Sequence, residues 1–201
     1  MSSLQAHDFV RGAGMAAGRD SGADGTDGAT RIAARIVDVV VLAPAAEGVY
    51  PARWRVLTLR RAVGTRCTGA WEIVHGRIEA GERPADAACR EVFEETGFRV
   101  DRLYNLAVNP FYIPVMDTVQ LALVFAAVVD ADTLDDDAVL LSEEHDLARW
   151  RTADDVQAEL AWPREHEAVR HAMWLLRTGD AGAVEDVLRA AVPGRARTGL
   201  G

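Results

Sequence analysis

Cysteine, lysine and long apolar runs are all scarce in this 201-residue chain. It has two cysteines, too few for a disulfide framework, and all 22 of its basic residues are arginine. Its longest apolar run, residues 121–129, spans nine residues, whereas a membrane-crossing helix needs roughly 20. The N-terminus also lacks the continuous apolar segment of a secretory signal. We therefore predict a cytoplasmic protein with no membrane partner.

The charge and composition favour a globular protein that binds small ligands. The formal net charge is −9, so no overall positive field gathers nucleic acid, and we expect no polymeric nucleic acid as partner. The sequence leaves a homodimer open. Residues 1–30 are too rich in glycine and alanine to bury a core, which predicts a disordered tail. We expect one folded domain over residues 31–192 and a flexible tail over 193–201.

Hydrophobic periodicity predicts strands interspersed with helices. The expected strands are residues 36–43, 55–60, 71–74, 119–129 and 148–151, and the expected helices are residues 84–96, 152–160, 163–177 and 183–192. This order is typical of an α/β protein with a mixed sheet between helical layers.

The helix over residues 84–96 carries the most informative side chains. Pro84 suits its first turn and Gly97 suits a C-terminal cap. At 100° per residue, Glu91, Glu94 and Glu95 fall within one arc of about 100°. The sequence therefore places three carboxylates on one helix face.

Cys89 and Val92 lie on the adjacent arc of the helix, where they can pack against a sheet. We therefore expect the acidic face to point outward. Like charges three or four residues apart destabilise a helix by a few tenths of a kcal/mol per pair. Two kinds of partner could offset that repulsion. One is solvent together with Arg90, and the other is a hard divalent cation such as Mg²⁺, which prefers oxygen ligands.

The loop before this helix favours the cation. Residues 76–82 place two glycines and three charged residues directly ahead of the acidic helix, and such a loop can turn a backbone carbonyl towards a metal. The combined spacing resembles the Nudix box of the Nudix hydrolases, and it is carried by Gly76, Glu82, Arg90-Glu91-Val92, Glu94-Glu95 and Gly97-Phe98.

This resemblance implies an α/β/α sandwich with a mixed β-sheet, and a reaction in which water cleaves a diphosphate linked to another moiety. Mg²⁺, or alternatively Mn²⁺, is the implied cofactor. Phosphoryl transfer needs charge neutralisation and in-line positioning rather than a covalent nucleophile, which agrees with a carboxylate face. The resemblance also implies the following roles: Glu91 and Glu95 as first metal ligands, Glu94 as a further ligand, Gly76 as a carbonyl ligand, Arg90 as the residue that orients the glutamates, and Glu82 as a support for the loop.

A further acidic candidate lies beyond the helix. Residues 142–150 show a Ser-x-Glu-His-x-x-x-Arg-Trp arrangement that is similar to the segment after the long strand in many Nudix enzymes. Glu144 is thus a fourth acidic residue of the predicted catalytic and metal site. Either Glu144 or a glutamate of the box, Glu91 or Glu94, is the base that activates water. The alternative is that Glu144 belongs to a solvated turn, and His145 beside it is expected at the surface.

The substrate is predicted from weaker signals. Residues 71–82, together with Trp162 and Pro163, look like the branch containing dihydroneopterin triphosphate and dATP pyrophosphatases. Phe111 and Tyr112 are expected in a loop before the strongest strand, where either ring can stack on a base or a pterin.

Three functions follow from these observations. The first is metal-dependent cleavage of a nucleoside triphosphate or a pterin triphosphate. The second uses the same box on a nucleotide sugar or a dinucleoside polyphosphate. The third is a non-catalytic nucleotide-binding module, which the intact glutamates of the box argue against. A small phosphorylated substrate is the partner in each case.

Overall fold

The computed structural model describes residues 30–130 and 134–194. The predicted tails, residues 1–30 and 193–201, therefore lie almost entirely outside the described residues. Eight strands are present: β1 (Arg31–Pro44), β2 (Trp54–Arg61), β3 (Trp71–Glu72), β4 (Val74–Arg77), β5 (Arg102–Ile113), β6 (Thr118–Val128), β7 (His145–Arg151) and β8 (Arg189–Ala190). The α-helices are α1 (Pro84–Thr96), α2 (Ala153–Glu159), α3 (Pro163–Leu175) and α4 (Glu185–Leu188). Short 3₁₀ turns span Pro114–Met116, Asp136–Ala138 and Gly182–Val184.

All eight strands belong to one mixed sheet, as predicted. The main order is β3-β2-β1-β6-β5-β8, with β4 pairing to β1 and β7 pairing to β2. The central pair, β1 and β6, is parallel, and the other pairs are antiparallel. Because β1 and β6 are covered on both faces, their sequences are nearly continuous apolar runs rather than alternating ones.

Helices cover both faces of the sheet, which confirms the predicted α/β/α sandwich. Val92 of α1 packs in the core on one face, with Val39 and Phe125. Val169 of α3 packs in the core on the other face, with Val40 and Val124. Because successive strand residues point to opposite faces, β1 and β6 each supply both cores. Among the described residues, no helix is long and apolar enough to cross a membrane.

The bounds of α1 agree with the sequence prediction. Pro84 occupies the first turn, and Gly97 ends the helix with φ 74° while its amide donates to the carbonyl of Phe93. Val92 is fully buried and Cys89 packs against the same core, as expected. Burial raises the pKa of the Cys89 thiol to about 11, with a smaller effect from Asp86. Cys89 is therefore a packing residue with little thiolate at neutral pH.

The structure corrects three predicted elements. Residues 109–112 lie in strand β5 rather than in a loop, with a bulge between Asn105 and Ala107. The predicted strand over 71–74 is two short strands, β3 and β4, which pair with different neighbours. The predicted helix over 183–192 is one turn of 3₁₀ helix, one turn of α4, and then β8. In the last case, antiparallel pairing with β5 overrides the local helix propensity.

Candidate metal and catalytic site

Gly76 and Glu91 lie in direct contact. Strand β4 ends beside α1, where the backbone N–H of Arg77 donates to Glu91 Oε1 at 2.9 Å. A Cβ atom built on Gly76 would overlap the Glu91 carboxylate far inside contact distance. Glycine is thus the residue that allows the carboxylate to approach the backbone this closely. The structure therefore brings together the two predicted ligands that stand 15 positions apart.

Arg90 ties the loop to the helix. Its Nε and Nη2 donate to the two carboxylate oxygens of Glu82, each at 2.9 Å. Its Nη1 donates to Glu91 at 2.8 Å and to Glu94 at 2.9 Å, and its Nη2 also donates to the carbonyl of Arg77 at 2.7 Å. These hydrogen bonds lower the pKa of Glu82 and raise that of Arg90. The arrangement fits the predicted roles of Arg90 as orienting residue and Glu82 as loop support.

The acidic face of α1 is not uniformly exposed, which corrects the expectation that it points outward. The side chain of Glu94 is 54% exposed, but Glu95 is only 7% exposed and its Oε2 is buried without a hydrogen-bond partner. Burial raises the pKa of Glu95 well above its usual range; His75 opposes this change, and the charges of Glu91 and two other carboxylates add to it. The last turn of α1 thus holds a carboxylate that needs a positive partner.

Two observations bear on a divalent cation here. No group of three or more His, Cys, Asp or Glu side chains within residues 30–130 and 134–194 is already arranged as a cation cage. However, the buried and unpartnered Oε2 of Glu95 is an oxygen donor close to other carboxylates, the class of ligand that Mg²⁺ prefers. The residues therefore fit a hard cation by their chemistry: Glu95 is buried, Glu91 is largely buried and Glu94 faces solvent.

Glu144 adds a further carboxylate near Glu95. Its Oε2 accepts a hydrogen bond from Arg61 Nη1 at 2.6 Å, its side chain is 54% exposed, and its charge contributes to the raised pKa of Glu95. Glu144 thus lies in an exposed turn and forms an ion pair with a buried arginine. The backbone pairing of Ala62 N–H with the Glu144 carbonyl holds this segment against the end of β2.

His145 is buried, contrary to its expected surface position. It is 5% exposed, and its Nε2 lies 3.1 Å from Glu72 Oε1. The reason is that His145 begins strand β7 and pairs in register with Arg61 of β2, which turns its ring towards the interior. His145 thus contacts a buried carboxylate rather than solvent.

A buried ionic cluster behind the loop was not found from the sequence. We call it the Glu72 cluster, and its members are Asp38, Glu72, His75, Arg164 and Glu165. His75 Nε2 lies 3.3 Å from Glu72 Oε1 and its Nδ1 lies 3.7 Å from Glu165 Oε1, while Arg164 Nε donates to Asp38 Oδ2 at 2.9 Å. The only sequence signal was an acidic residue, Asp38, inside the apolar run of β1.

The charges of the Glu72 cluster are strongly coupled. Burial opposes the charge of His75, but the three carboxylates outweigh it and raise its pKa to about 9. Burial alone would raise the pKa of Glu72, yet His145, His75 and Arg61 bring it far below its usual range. Burial raises the pKa of Glu165 to about 8 against the effects of His75 and Arg164. His75 is thus a buried cation one residue before Gly76.

The two predicted aromatic contacts lie on opposite faces of β5. The Phe111 ring centroid is 5.0 Å from the guanidinium carbon of Arg164, and the Trp162 ring lies 5.4 Å from the same carbon. Tyr112 instead donates its hydroxyl proton to Asp117 at 2.8 Å. Because neighbouring strand residues alternate in direction, Phe111 lies beside the Glu72 cluster and Tyr112 does not.

Comparison with known proteins agrees with this geometry. The family model of the NUDIX domain matches residues 34–172. The RNA pyrophosphohydrolase of Bartonella quintana is 43% identical over 58 residues, which is 29% of this chain and 34% of that protein. The chain thus matches about a third of this curated relative's length.

Solved structures show the same fold. A Nudix hydrolase from Listeria monocytogenes is 23% identical, with a TM-score of 0.55 over 78% of this chain and 98% of its own. The E. coli dihydroneopterin triphosphate pyrophosphohydrolase is 22% identical, with a TM-score of 0.53 over 69% and 94% of the two chains. With the family match covering more than half of its residues, this chain belongs to the Nudix family.

Proposed function

We propose that this protein is a metal-dependent hydrolase that cleaves a diphosphate linkage in a nucleoside triphosphate or a pterin triphosphate by attack of water. The observation that carries this proposal is the buried and unpartnered Oε2 of Glu95, on which the charges of Glu91 and Glu144 both act. Holding such a group in the fold is costly unless a ligand compensates it. Family membership supplies the reaction class.

The residues divide the work as follows. Glu91, Glu95 and the Gly76 carbonyl hold Mg²⁺ or Mn²⁺, with Glu94 as a further ligand on the exposed side. When bound, the cation neutralises charge on the diphosphate and helps to align the attacking and leaving oxygens. Arg90 keeps the glutamates in place through the hydrogen bonds that also fix the loop.

Glu144 is the proposed general base. Its carboxylate accepts a proton from water as the water oxygen forms a bond to phosphorus, and the bond from that phosphorus to the bridging oxygen breaks. The bridging oxygen keeps the bonding electrons and departs as part of the leaving group, which is either pyrophosphate or the monophosphate. Glu94, which is equally exposed, is the alternative base. Phe111 is the proposed stacking surface for the base or pterin, because its ring lies 5.0 Å from the Arg164 guanidinium carbon of the Glu72 cluster.

A second candidate is removal of pyrophosphate from an RNA 5′ end. It is favoured by the identity with the Bartonella RNA pyrophosphohydrolase, which is confined to 58 residues. The net charge of −9 favours the small substrates, because the chain offers no overall positive field to an RNA backbone. A third candidate is a dinucleoside polyphosphate, since the C. elegans Ap4A hydrolase shares the fold with a TM-score of 0.54.

A substrate panel tests the proposal. The protein is assayed with Mg²⁺ or Mn²⁺ on nucleoside triphosphates, dihydroneopterin triphosphate, diadenosine tetraphosphate, a nucleotide sugar and 5′-triphosphorylated RNA, and the products are identified by chromatography. Pyrophosphate release from a small triphosphate, abolished by excess EDTA and by Glu91→Gln, is the expected result. If the protein turns over only the nucleotide sugar, diadenosine tetraphosphate or the 5′-triphosphorylated RNA, the function is reassigned to that substrate. If the wild-type protein binds nucleotide without turnover, it is a non-catalytic module.

A further inference from the structure

Arg61 links the buried interior to the exposed Glu144. It is the last residue of β2 and only 6% exposed. Its Nε donates to the carbonyl of Arg66 at 3.1 Å, and its Nη1 lies 3.3 Å from Glu72 Oε1. Glu72 is fully buried and is also held by His145. The guanidinium group is therefore held from behind by a fully buried carboxylate and a backbone carbonyl.

The front of the same guanidinium group faces Glu144. Nη1 donates to Glu144 Oε2 at 2.6 Å, the shortest of the three contacts. Glu144 belongs to a turn and its side chain is 54% exposed, so on its own it would sample several rotamers. A charge-assisted hydrogen bond from a rigid donor selects one of them. Arg61 thus determines where the Glu144 carboxylate lies relative to Glu95.

We propose that Arg61 is the positioning residue for the water-activating carboxylate of Glu144. This inference rests on the proposed function, because it needs Glu144 to take a proton from water. Arg61 does not touch substrate in this scheme; it acts through Glu144 by holding the carboxylate in one orientation. The buried contact with Glu72 is the anchor, and the short contact with Glu144 is the one that affects the rate.

A purely structural salt bridge would look different. Arg61 also contacts Glu72 and the carbonyl of Arg66, so Glu144 is not its only partner in the fold. The adjacent Arg60 illustrates the contrast: its Nε donates to Asp146 at 2.7 Å, but its side chain is 36% exposed. Arg60 and Arg61 therefore form comparably short ion pairs, and only that of Arg61 reaches the candidate site.

The test compares Arg61→Lys, Arg61→Met and the control Arg60→Met, each alone and with Glu144→Gln. Arg61→Lys keeps a positive charge next to Glu72 but loses the planar group that contacts both carboxylates, so it remains informative if Arg61→Met does not fold. We measure kcat and KM on the best panel substrate, Mn²⁺ affinity by calorimetry, and crystal structures of the wild type and Arg61→Lys.

We expect kcat of Arg61→Lys to fall about 10- to 100-fold, the usual range for residues that orient groups at a metal site, with KM and Mn²⁺ affinity little changed. In the Glu144→Gln background the same substitution should cause no further loss. The Arg61→Lys crystal structure should show the Glu144 carboxylate displaced while Glu91 keeps its place. Arg60→Met should retain the wild-type kcat.

Failure of this inference is distinguishable from failure of the proposed function. The role of Arg61 is overturned, while the enzyme remains a hydrolase, if Arg61→Lys leaves kcat unchanged. It is also overturned if Arg61→Lys lowers kcat by the same factor in the Glu144→Gln background as in the wild type. A Glu144→Gln enzyme with the wild-type rate also overturns it and transfers the base role to Glu94. If the wild type turns over no substrate, the proposed function fails, and an undisplaced Glu144 in the Arg61→Lys structure overturns the inference independently.

Discussion

Replacement of Gly76 by alanine should separate Glu91 from the loop without removing any charge. The new Cβ would occupy the position of the Glu91 carboxylate, so the side chain must rotate away. Rotation breaks the hydrogen bond from the Arg77 amide to Glu91 Oε1. A hydrogen bond to a charged group contributes about 1.5–3 kcal/mol, and the Glu91 side chain is only 12% exposed. We therefore expect a loss of about 2 kcal/mol in the free energy of unfolding.

A loss of that size should lower Tm by about 4–8 °C for a chain of this length. Mn²⁺ affinity should fall at least about tenfold, because the displaced carboxylate is a proposed ligand. Thermal unfolding measures the first effect and titration calorimetry measures the second. The two losses should appear together because they arise from the same displaced carboxylate.

Gly182→Ala provides a matched control. Gly182 has φ 55° with open space where a Cβ would stand, so alanine there costs about 1–2 kcal/mol of backbone strain at a site far along the chain from Gly76. We expect a lower Tm with unchanged Mn²⁺ affinity. Wild-type Mn²⁺ affinity in Gly76→Ala would refute the inference that Gly76 is glycine to accommodate the Glu91 carboxylate.

Four further outcomes are expected. Arg90→Lys should lower both Tm and kcat, because an ammonium group cannot bridge the loop and the helix at once; circular dichroism and steady-state kinetics measure this. Glu95→Gln should raise Tm of the metal-free protein and lower Mn²⁺ affinity, since it removes a buried carboxylate whose pKa is raised. The free energy of unfolding should fall as pH rises from 6.5 to 9, because His75 has a folded-state pKa of about 9 against an ordinary value of 6.5. The shift corresponds to about 3 kcal/mol, and Glu165 acts in the same direction. Chemical denaturation at several pH values should show that the free energy of unfolding of His75→Gln depends less on pH than that of the wild type. Deleting residues 1–29 should leave Tm and kcat unchanged, and an inactive or insoluble truncation would contradict the predicted disordered tail.

The parts of the site that sequence reasoning predicted are those encoded by local spacing. The bounds of α1 follow from Pro84 and Gly97, and the shared face of the glutamates follows from helical periodicity. Gly76 and Arg90 follow from the fixed spacing of the Nudix box. Strand β5 was missed because Asn109-Pro110 is a turn signal, whereas pairing with β6 over residues 102–113 overrides it.

The remaining contacts depend on strand register, which no local pattern reveals. His75 lies beside Asp38 because β4 pairs with β1 in that register. Arg61 contacts Glu144, which lies 83 positions later in the chain, because β2 pairs with β7 and Glu144 immediately precedes β7. The interpretation of His145 as a surface residue failed for the same reason, since its burial follows from that pairing. These pairings are long-range choices of the whole sheet.

Pro110, which is part of the turn signal that hid strand β5 from the sequence prediction, protects the outer edge of that strand. On the side away from β6, strand β8 pairs only with Leu103 and Tyr104, so within the described residues the rest of that edge of β5 has no neighbouring strand. Pro110 in that stretch has no amide proton and interrupts the row of donors that an approaching strand would need. Edge-to-edge recruitment of a second β5, the first step towards an open-ended ribbon of sheets, is thereby discouraged at high protein concentration.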